Sequence, residues 1–233
     1  MSKRIVLTLL SVVFVLAVAG TANAAPLPIG YTAKVAQAAP EDDAVVLPSR
    51  IAGAIRRTEN ALAKAEEHID EAEYSKAIVS LRAVRKYLVV ADKSARRQMS
   101  AVPTDPEAET TTGPDSVIAV LSLDQEVVVG LAGLLNGQTG TLVGAIGTTI
   151  AAAQTTRDKL LDTVIALDPE GDGAPYADGM ADTLDGYADE VDNVTEALAL
   201  DVLSAGGKGI LNAALARSKA TEAKIQAAFG GGE

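Results

Sequence analysis

The sequence predicts an all-α protein, a bundle of five or six helices built from antiparallel helical hairpins. Three observations predict it. Apolar and small residues recur at alternating steps of three and four along most of the chain. Aromatic residues make up only 3% of it, so the side chains that favour strands are scarce. Val127 to Thr156 runs thirty residues without a charge, as VVVGLAGLLNGQTGTLVGAIGTTIAAAQTT. This stretch is apolar on both arms, with a polar, glycine-rich waist at Asn136-Gly137-Gln138-Thr139-Gly140. It reads as helix, tight turn and helix, both largely buried, with the rest of the chain packed around it.

Thirty uncharged residues exceed the ~20 that cross a bilayer. The waist divides them, however, into arms of nine residues (Val127–Leu135) and twelve (Leu142–Ala153). Apolar segments of ~10–14 residues belong more often to buried core helices. The stretch is therefore expected to be the core, and a membrane hairpin is the alternative.

Met1 to Ala24 reads as a secretion signal: Lys3 and Arg4, an apolar run over Ile5–Ala19, then Ala22-Asn23-Ala24 as a small-x-small cleavage pattern. The mature chain is expected to begin at Ala25 and to be secreted into the cell envelope or the medium. Without the leader, 18 Lys and Arg stand against 31 Asp and Glu, a net charge of −13. So acidic a surface disfavours nucleic acid and anionic lipid as partners. The chain has no cysteine, so the core holds the fold without disulfides.

Residues 25–47 carry Pro26, Pro28, Pro40 and the acidic trio Glu41-Asp42-Asp43, and read as a disordered linker. Residues 48–102 read as a helical hairpin. Its first helix starts near Pro48-Ser49, with a seam of Ile51, Ile55, Thr58, Leu62, Ala65 and Ile69. After a break at Glu71–Glu73, a second runs to Met99 on Tyr74, Ala77, Leu81, Val84, Leu88, Ala91 and Ala95. Ala65, Tyr74, Ala77 and Leu81 resemble the small and aromatic positions of one tetratricopeptide hairpin. Such arrays need about three repeats, and the chain has one, so no peptide-binding solenoid is expected.

Residues 103–114 form a second linker, with Pro103, Pro106, Pro114 and Thr110-Thr111-Thr112-Gly113. Residues 115–229 are expected to form a helical bundle that packs with the first hairpin, and 230–233 a tail. Asp115-Ser116 caps the third helix. Asp124, Gln125 and Glu126 interrupt its apolar surface and are expected on its one wet edge, a buried carboxylate with a catalytic or metal role being the sharper reading. The fourth helix, Thr141–Leu167, would be ~40 Å long and lie beside the equally long second. Gly140, Gly144 and Gly147 in it suggest close helix packing.

Asp168 to Gly179, DPEGDGAPYADG, reads as an acidic loop. The fifth helix then runs to about Val202 with two opposed stripes. One is apolar: Met180, Leu184, Tyr187, Val191, Val194 and Leu198. The other is acidic: Asp178, Asp182, Asp185, Asp189, Asp192 and Glu196. The basic residues of the sixth helix (Lys208–Phe229) and of the second are expected to answer this acidic stripe. Gly206-Gly207-Lys208-Gly209 lacks the spacing of a phosphate-binding loop and is expected to be a turn.

The chemistry is sparse. With one histidine, His68, and no cysteine, neither a Glu-x-x-His di-iron bundle nor the usual zinc set can be assembled. No Gly-x-Ser-x-Gly elbow presents a serine, and no nucleophile, base and orienting group can be put together, so no enzyme is expected. No cofactor is expected beyond a calcium candidate. Asp168, Glu170 and Asp172 followed by Gly173 match the start of a calcium loop, and Asp178 stands near enough to replace the glutamate that Gly179 displaces. An ordinary acidic turn is the competing reading.

The Ala-Asn-Ala signal end, the stretch Tyr176–Asp182 (YADGMAD) and the tail helix Leu215–Ala228 resemble uncharacterised secreted helical-bundle proteins of high-GC Gram-positive bacteria. The resemblance implies no activity. The expected function is that of a secreted, non-enzymatic helical bundle acting through its surface, its partner an unknown envelope or extracellular protein. The alternative is a membrane-active, pore-forming-like protein that inserts the Val127–Ile150 hairpin.

Overall fold

A computed structural model describes residues 47–99, 112–167 and 174–229 of the chain. They form an all-α bundle of six helices: α1 (Ser49–Asp70), α2 (Tyr74–Met99), α3 (Thr112–Leu134), α4 (Gly140–Ile165), α5 (Ala174–Leu198) and α6 (Ala205–Phe229). No strand occurs among the described residues. Successive helices pair as hairpins in three layers. The α3–α4 hairpin, which contains the uncharged run Val127–Thr156, is the middle layer; α1–α2 packs on one side of it and α5–α6 on the other.

α1, α2 and α5 form because their apolar residues share one face at helical spacing. In α1 the buried face is Ile51, Ala54, Thr58, Ala61, Leu62, Ala65 and Ile69. In α2 it is Ala77, Leu81, Val84, Leu88, Ala91 and Ala95, joined by the polar Ser80, Asp92 and Ser94. The expected seams are thus the observed ones, apart from Ile55 at the margin and Tyr74, which is exposed.

The hairpin turn of α1–α2 is a Schellman motif. Ala72 takes a left-handed conformation (φ 58°), its N–H bonds the Ile69 carbonyl at 3.0 Å, and the Glu73 N–H bonds the His68 carbonyl at 2.7 Å. A glycine would hold that conformation without the strain an alanine Cβ brings.

In the middle layer, Val120, Leu121, Val128, Leu131, Leu135, Ile146, Ile150 and Leu160 are buried from both sides. Full burial of one such aliphatic side chain contributes ~1.5–3 kcal/mol. The waist is the predicted tight turn. Gly137 and Gly140 sit at φ 70° and 66°, and the Gly137 N–H bonds the Val202 carbonyl, tying this turn to the α5–α6 connection. As the equal lengths of α2 and α4 suggested, the two lie in contact.

Glycine does bring helices close, but at positions other than most of those expected. A Cβ on Gly147 would meet Ile210 at 2.5 Å, whereas Gly144 has open space around it. On α5, a Cβ on Gly179 would lie 2.7 Å from Ile118, and one on Gly186 the same distance from Gln125. These two glycines are seven residues apart, two turns of one helix face, and let α5 settle onto α3.

Several boundaries differ from expectation. α3 begins at Thr112, so Asp115 lies in its first turn instead of capping it; an acidic residue there still suits the helix dipole. α5 begins at Ala174, so Pro175 is an early helical residue, where proline's missing N–H costs nothing, and the acidic loop is shorter than predicted. Gly206-Gly207-Lys208-Gly209 lies inside α6 and not in a turn. Its start is fixed by Ser204, whose hydroxyl accepts the Gly207 N–H at 3.1 Å.

Candidate functional site

The middle of α4 departs abruptly from its apolar run. Directly after the thirty uncharged residues come Arg157 and Asp158, with Gln154 and Thr156 just before. Helical spacing throws Gln154, Arg157 and Asp158 toward α6 and α5, and Thr156 toward α3. A guanidinium on a helix packed on several sides cannot reach water, so its charge has to be met from neighbouring helices.

Arg157 has no exposed surface. Its Nη1 donates to both carboxylate oxygens of Glu190 on α5, at 2.8 Å each. Its Nη2 donates to Thr221 Oγ1 on α6 at 3.2 Å, and Nε lies 3.9 Å from Asp158 Oδ1. The guanidinium also stands 4.8 Å from the ring centroid of Tyr187, a cation–π contact in a desolvated setting. The Ser218 hydroxyl reaches Glu190 Oε1, and Gln154 Nε2 donates to the Ala214 carbonyl at 2.9 Å. Glu190 and Tyr187 are likewise without exposed surface.

Asp124 on α3 is the third buried member. Its two oxygens accept from the Thr156 hydroxyl at 3.1 and 3.2 Å. The wet edge expected for Asp124 is therefore corrected: it is fully buried, and only its neighbours Gln125 and Glu126 are half-buried. The reason is that α3 has helices on both sides, so it has no edge wide enough for three residues. On α2, Asp92 is also buried and pairs with Arg96.

The charges of this interior do not cancel in pairs. Burial pushes the Asp124 carboxyl well above its ordinary range; nearby Arg157 and the Thr156 bond pull it back, while Asp92 and Glu190 push it further. Arg157 is already engaged with Glu190; burial lowers its pKa, but Glu190, Tyr187 and Asp158 together outweigh that cost and leave it raised. Burial therefore favours the protonated form of Asp124. Burial also drives the Tyr187 hydroxyl well above its usual value, and that oxygen has no hydrogen-bond partner among the described residues.

Two residues along α3, Glu126 is pushed up to about 7 by burial and by Glu59 of α1. Glu59 is itself raised by burial. No ion pair among the described residues relieves either, so the α1–α3 seam carries two carboxyl groups without a cation.

Asp168, Glu170 and Asp172, the core of the calcium candidate, lie outside the described residues. Asp178 falls within α5, and its side chain lies outside them too. The described residues bring together a different trio. His68, Glu71 and Glu73 offer ligand atoms within 4.8 Å of one another. They are the residues of the Schellman turn. Lys76 Nζ already lies 2.6 Å from Glu73, and His68 Nδ1 lies 3.1 Å from the same carboxylate, so the charge there is met by side chains.

The acidic stripe of α5 is exposed at Asp182, Asp185, Asp189, Asp192 and Glu196. The expected answer from α6 goes elsewhere: Arg217 pairs with Asp158 at 2.6 Å and Lys224 with Asp162, both on α4. Arg217 and Lys224 thus face α4, and no ion pair among the described residues reaches the stripe.

Sequence reasoning missed the Arg157–Glu190 pair. The available signal was Arg157 itself, the first charge after the uncharged run. What the arrangement does chemically is hold: it bonds α3 to α4 and α4 to α5 and α6 with groups that touch no solvent. Comparison with protein-family models, curated proteins and solved structures gives no match.

Proposed function

We propose that the chain is a secreted, non-enzymatic helical-bundle protein that works through its outer surface in the cell envelope or outside the cell. One observation carries this reading. Two strongly perturbed groups, Asp124 and Tyr187, are sealed from solvent together with Arg157 and Glu190 in a cluster tied across four helices. Perturbed groups that serve catalysis sit in clefts where a substrate can reach them. These serve the register of the bundle, which leaves the exterior to meet partners.

The address rests on the leader and predicts a mature N-terminus at Ala25. N-terminal sequencing of the protein from the culture or envelope fraction should find it there. An unprocessed protein confined to the cytoplasm would overturn the reading, and so would turnover of a substrate abolished by Asp124→Asn with the fold intact.

One observation favours membrane insertion as a second reading. Gly113–Leu134 in α3 is long and apolar enough to span a bilayer, at a mean hydropathy of 1.8. It also carries Asp124, and just over half of the apolar window is buried inside the bundle (56%). The first reading expects no leakage of dye from neutral vesicles. Leakage lost on Leu131→Asp while the variant stays folded would favour the second.

A further inference from the structure

The outer layers of the bundle carry opposite charges at matching intervals. On α1, Arg50, Arg57 and Lys64 are exposed and successive members are seven residues apart. On α2, Lys86 and Lys93 repeat the same step and are exposed too. Seven residues are two helical turns, ~10.5 Å. Between the helices runs a groove lined by Arg50, Arg57, Lys86 and Tyr87, whose ring lies 5.9 Å from the Arg57 guanidinium and 5.7 Å from Lys86 Nζ. No exposed carboxylate occurs in residues 49–65 or 82–97.

On the far side of the central hairpin, the outer face of α5 offers the complement. Asp182, Asp189 and Glu196 repeat at seven residues, and so do Asp185 and Asp192. Lys and Arg are absent from the whole of α5. The small exposed Ala181 and Ala188 lie among these carboxylates, while Val79 and Val89 stand 60% and 40% exposed on the outer face of α2. A single helix face bearing both carboxylate rows therefore matches, in sign and spacing, the cation rows that begin in this groove and continue beside it. Neither face is consumed internally, since the ion pairs among the described residues leave Arg50, Arg57, Lys64, Lys86 and Lys93 as well as the α5 stripe unpaired.

From this we infer that α5 of one copy of the chain docks in the α1–α2 groove of a second copy. The contact is heterologous, because the two faces differ and lie on opposite sides of the molecule, so it propagates head to tail. The chain's net charge of −11 repels copies at long range. At physiological ionic strength, however, screening acts over ~8 Å, so groups in contact outweigh distant ones. One helix in one groove is a small interface, which makes the association weak and salt-sensitive. The inference names a partner for the proposed surface function and rests on that reading.

Sedimentation of the protein expressed from the full chain tests it. Mass should rise with concentration at 50 mM salt, with the association weakened about tenfold or more at 500 mM. Neutralising either face, by Asp185→Asn/Asp189→Asn/Asp192→Asn or by Arg57→Gln/Lys86→Gln/Lys93→Gln, should leave a monomer. An equimolar mixture of these two variants should form a one-to-one dimer and stop there, because each retains one intact face. All six residues are exposed, so circular dichroism should be unchanged. A wild-type monomer at millimolar concentration in low salt would overturn the inference. Association that survives neutralisation of either face would do the same, as would a monomer whose basic face binds anionic vesicles. A monomer that still binds isolated envelopes would overturn self-association and leave the surface reading standing.

Discussion

Glu190 and Asp189 are adjacent residues of α5 with opposite tasks. Glu190 points inward, has no exposed surface and is held by Arg157 and Ser218. Asp189 points outward with the rest of the acidic stripe and pairs with no cation among the described residues. The same chemistry one position apart is, in one case, a joint between helices and, in the other, a free face. The difference lies in the cost of desolvation: a buried charge must be matched by geometry, whereas water serves an exposed one. Mutations on the two faces should therefore differ by an order of magnitude in effect.

The largest effect is expected at Arg157. Replacement by Met leaves Glu190 buried without its cation and should destabilise the protein by ~3–5 kcal/mol in urea unfolding. Adding Glu190→Leu should recover much of that loss, because the double variant leaves no unpaired charge at that joint. If Arg157→Met alone were neutral, the interior network would not be the joint described here.

A smaller effect of opposite sign is expected at Glu126. Its folded-state pKa, about 7, lies above the ~4.3 of an unfolded chain. Folding therefore takes up a proton between these values, and stability present below pH ~4.3 is lost as the pH rises toward 7. Glu126→Gln should remove that loss. Allowing for its partial exposure, the variant should be ~1–2 kcal/mol more stable than wild type at pH 8 and nearly equal at pH 4. Asp124→Asn should act in the same direction, since that carboxyl is also raised by burial. Equal stability differences at both pH values would contradict the assignment.

Tyr187→Phe should be neutral or stabilising by up to ~1 kcal/mol, because its buried hydroxyl bonds to nothing among the described residues while its ring packs on Arg157. The smallest effect belongs outside. Asp189→Asn should alter folding stability by no more than ~0.5 kcal/mol in the same urea titration, in contrast to Glu190 beside it. A large loss there would mean that the stripe serves the fold.

The fold was legible because a helix writes its buried face into the sequence. Ile51 to Ile69, Ala77 to Ala95 and Met180 to Leu198 each follow steps of three and four, which needs no knowledge of neighbours. The α3–α4 turn was legible in its glycines, two of which take positive φ. The interior network was not. Asp124 and Thr156 are 32 residues apart, Arg157 and Glu190 33, and Arg157 and Thr221 64. A helical period says which residues share a face; it does not say which other helix that face meets. For the same reason Asp124 was read as wet: beside Gln125 and Glu126 it looks like a polar edge, and only the layers above and below α3 bury it. Charge pattern alone pairs the α6 cations with the α5 stripe, whereas Arg217 and Lys224 meet Asp158 and Asp162, because α6 packs on α4 as well as on α5 and the stripe points away from both.

By itself, then, the sequence determined a bundle of five or six helices, the buried seams of α1, α2 and α5, the largely uncharged hairpin as the centre and an acidic row on α5. Period and composition act locally along the chain. Tertiary structure decided that α1–α2 and α5–α6 lie on opposite sides of that hairpin, that Arg157 meets Glu190, and that Asp124 is buried. Those outcomes follow from burial and from charges brought together across helices, and both come into being only when the layers close.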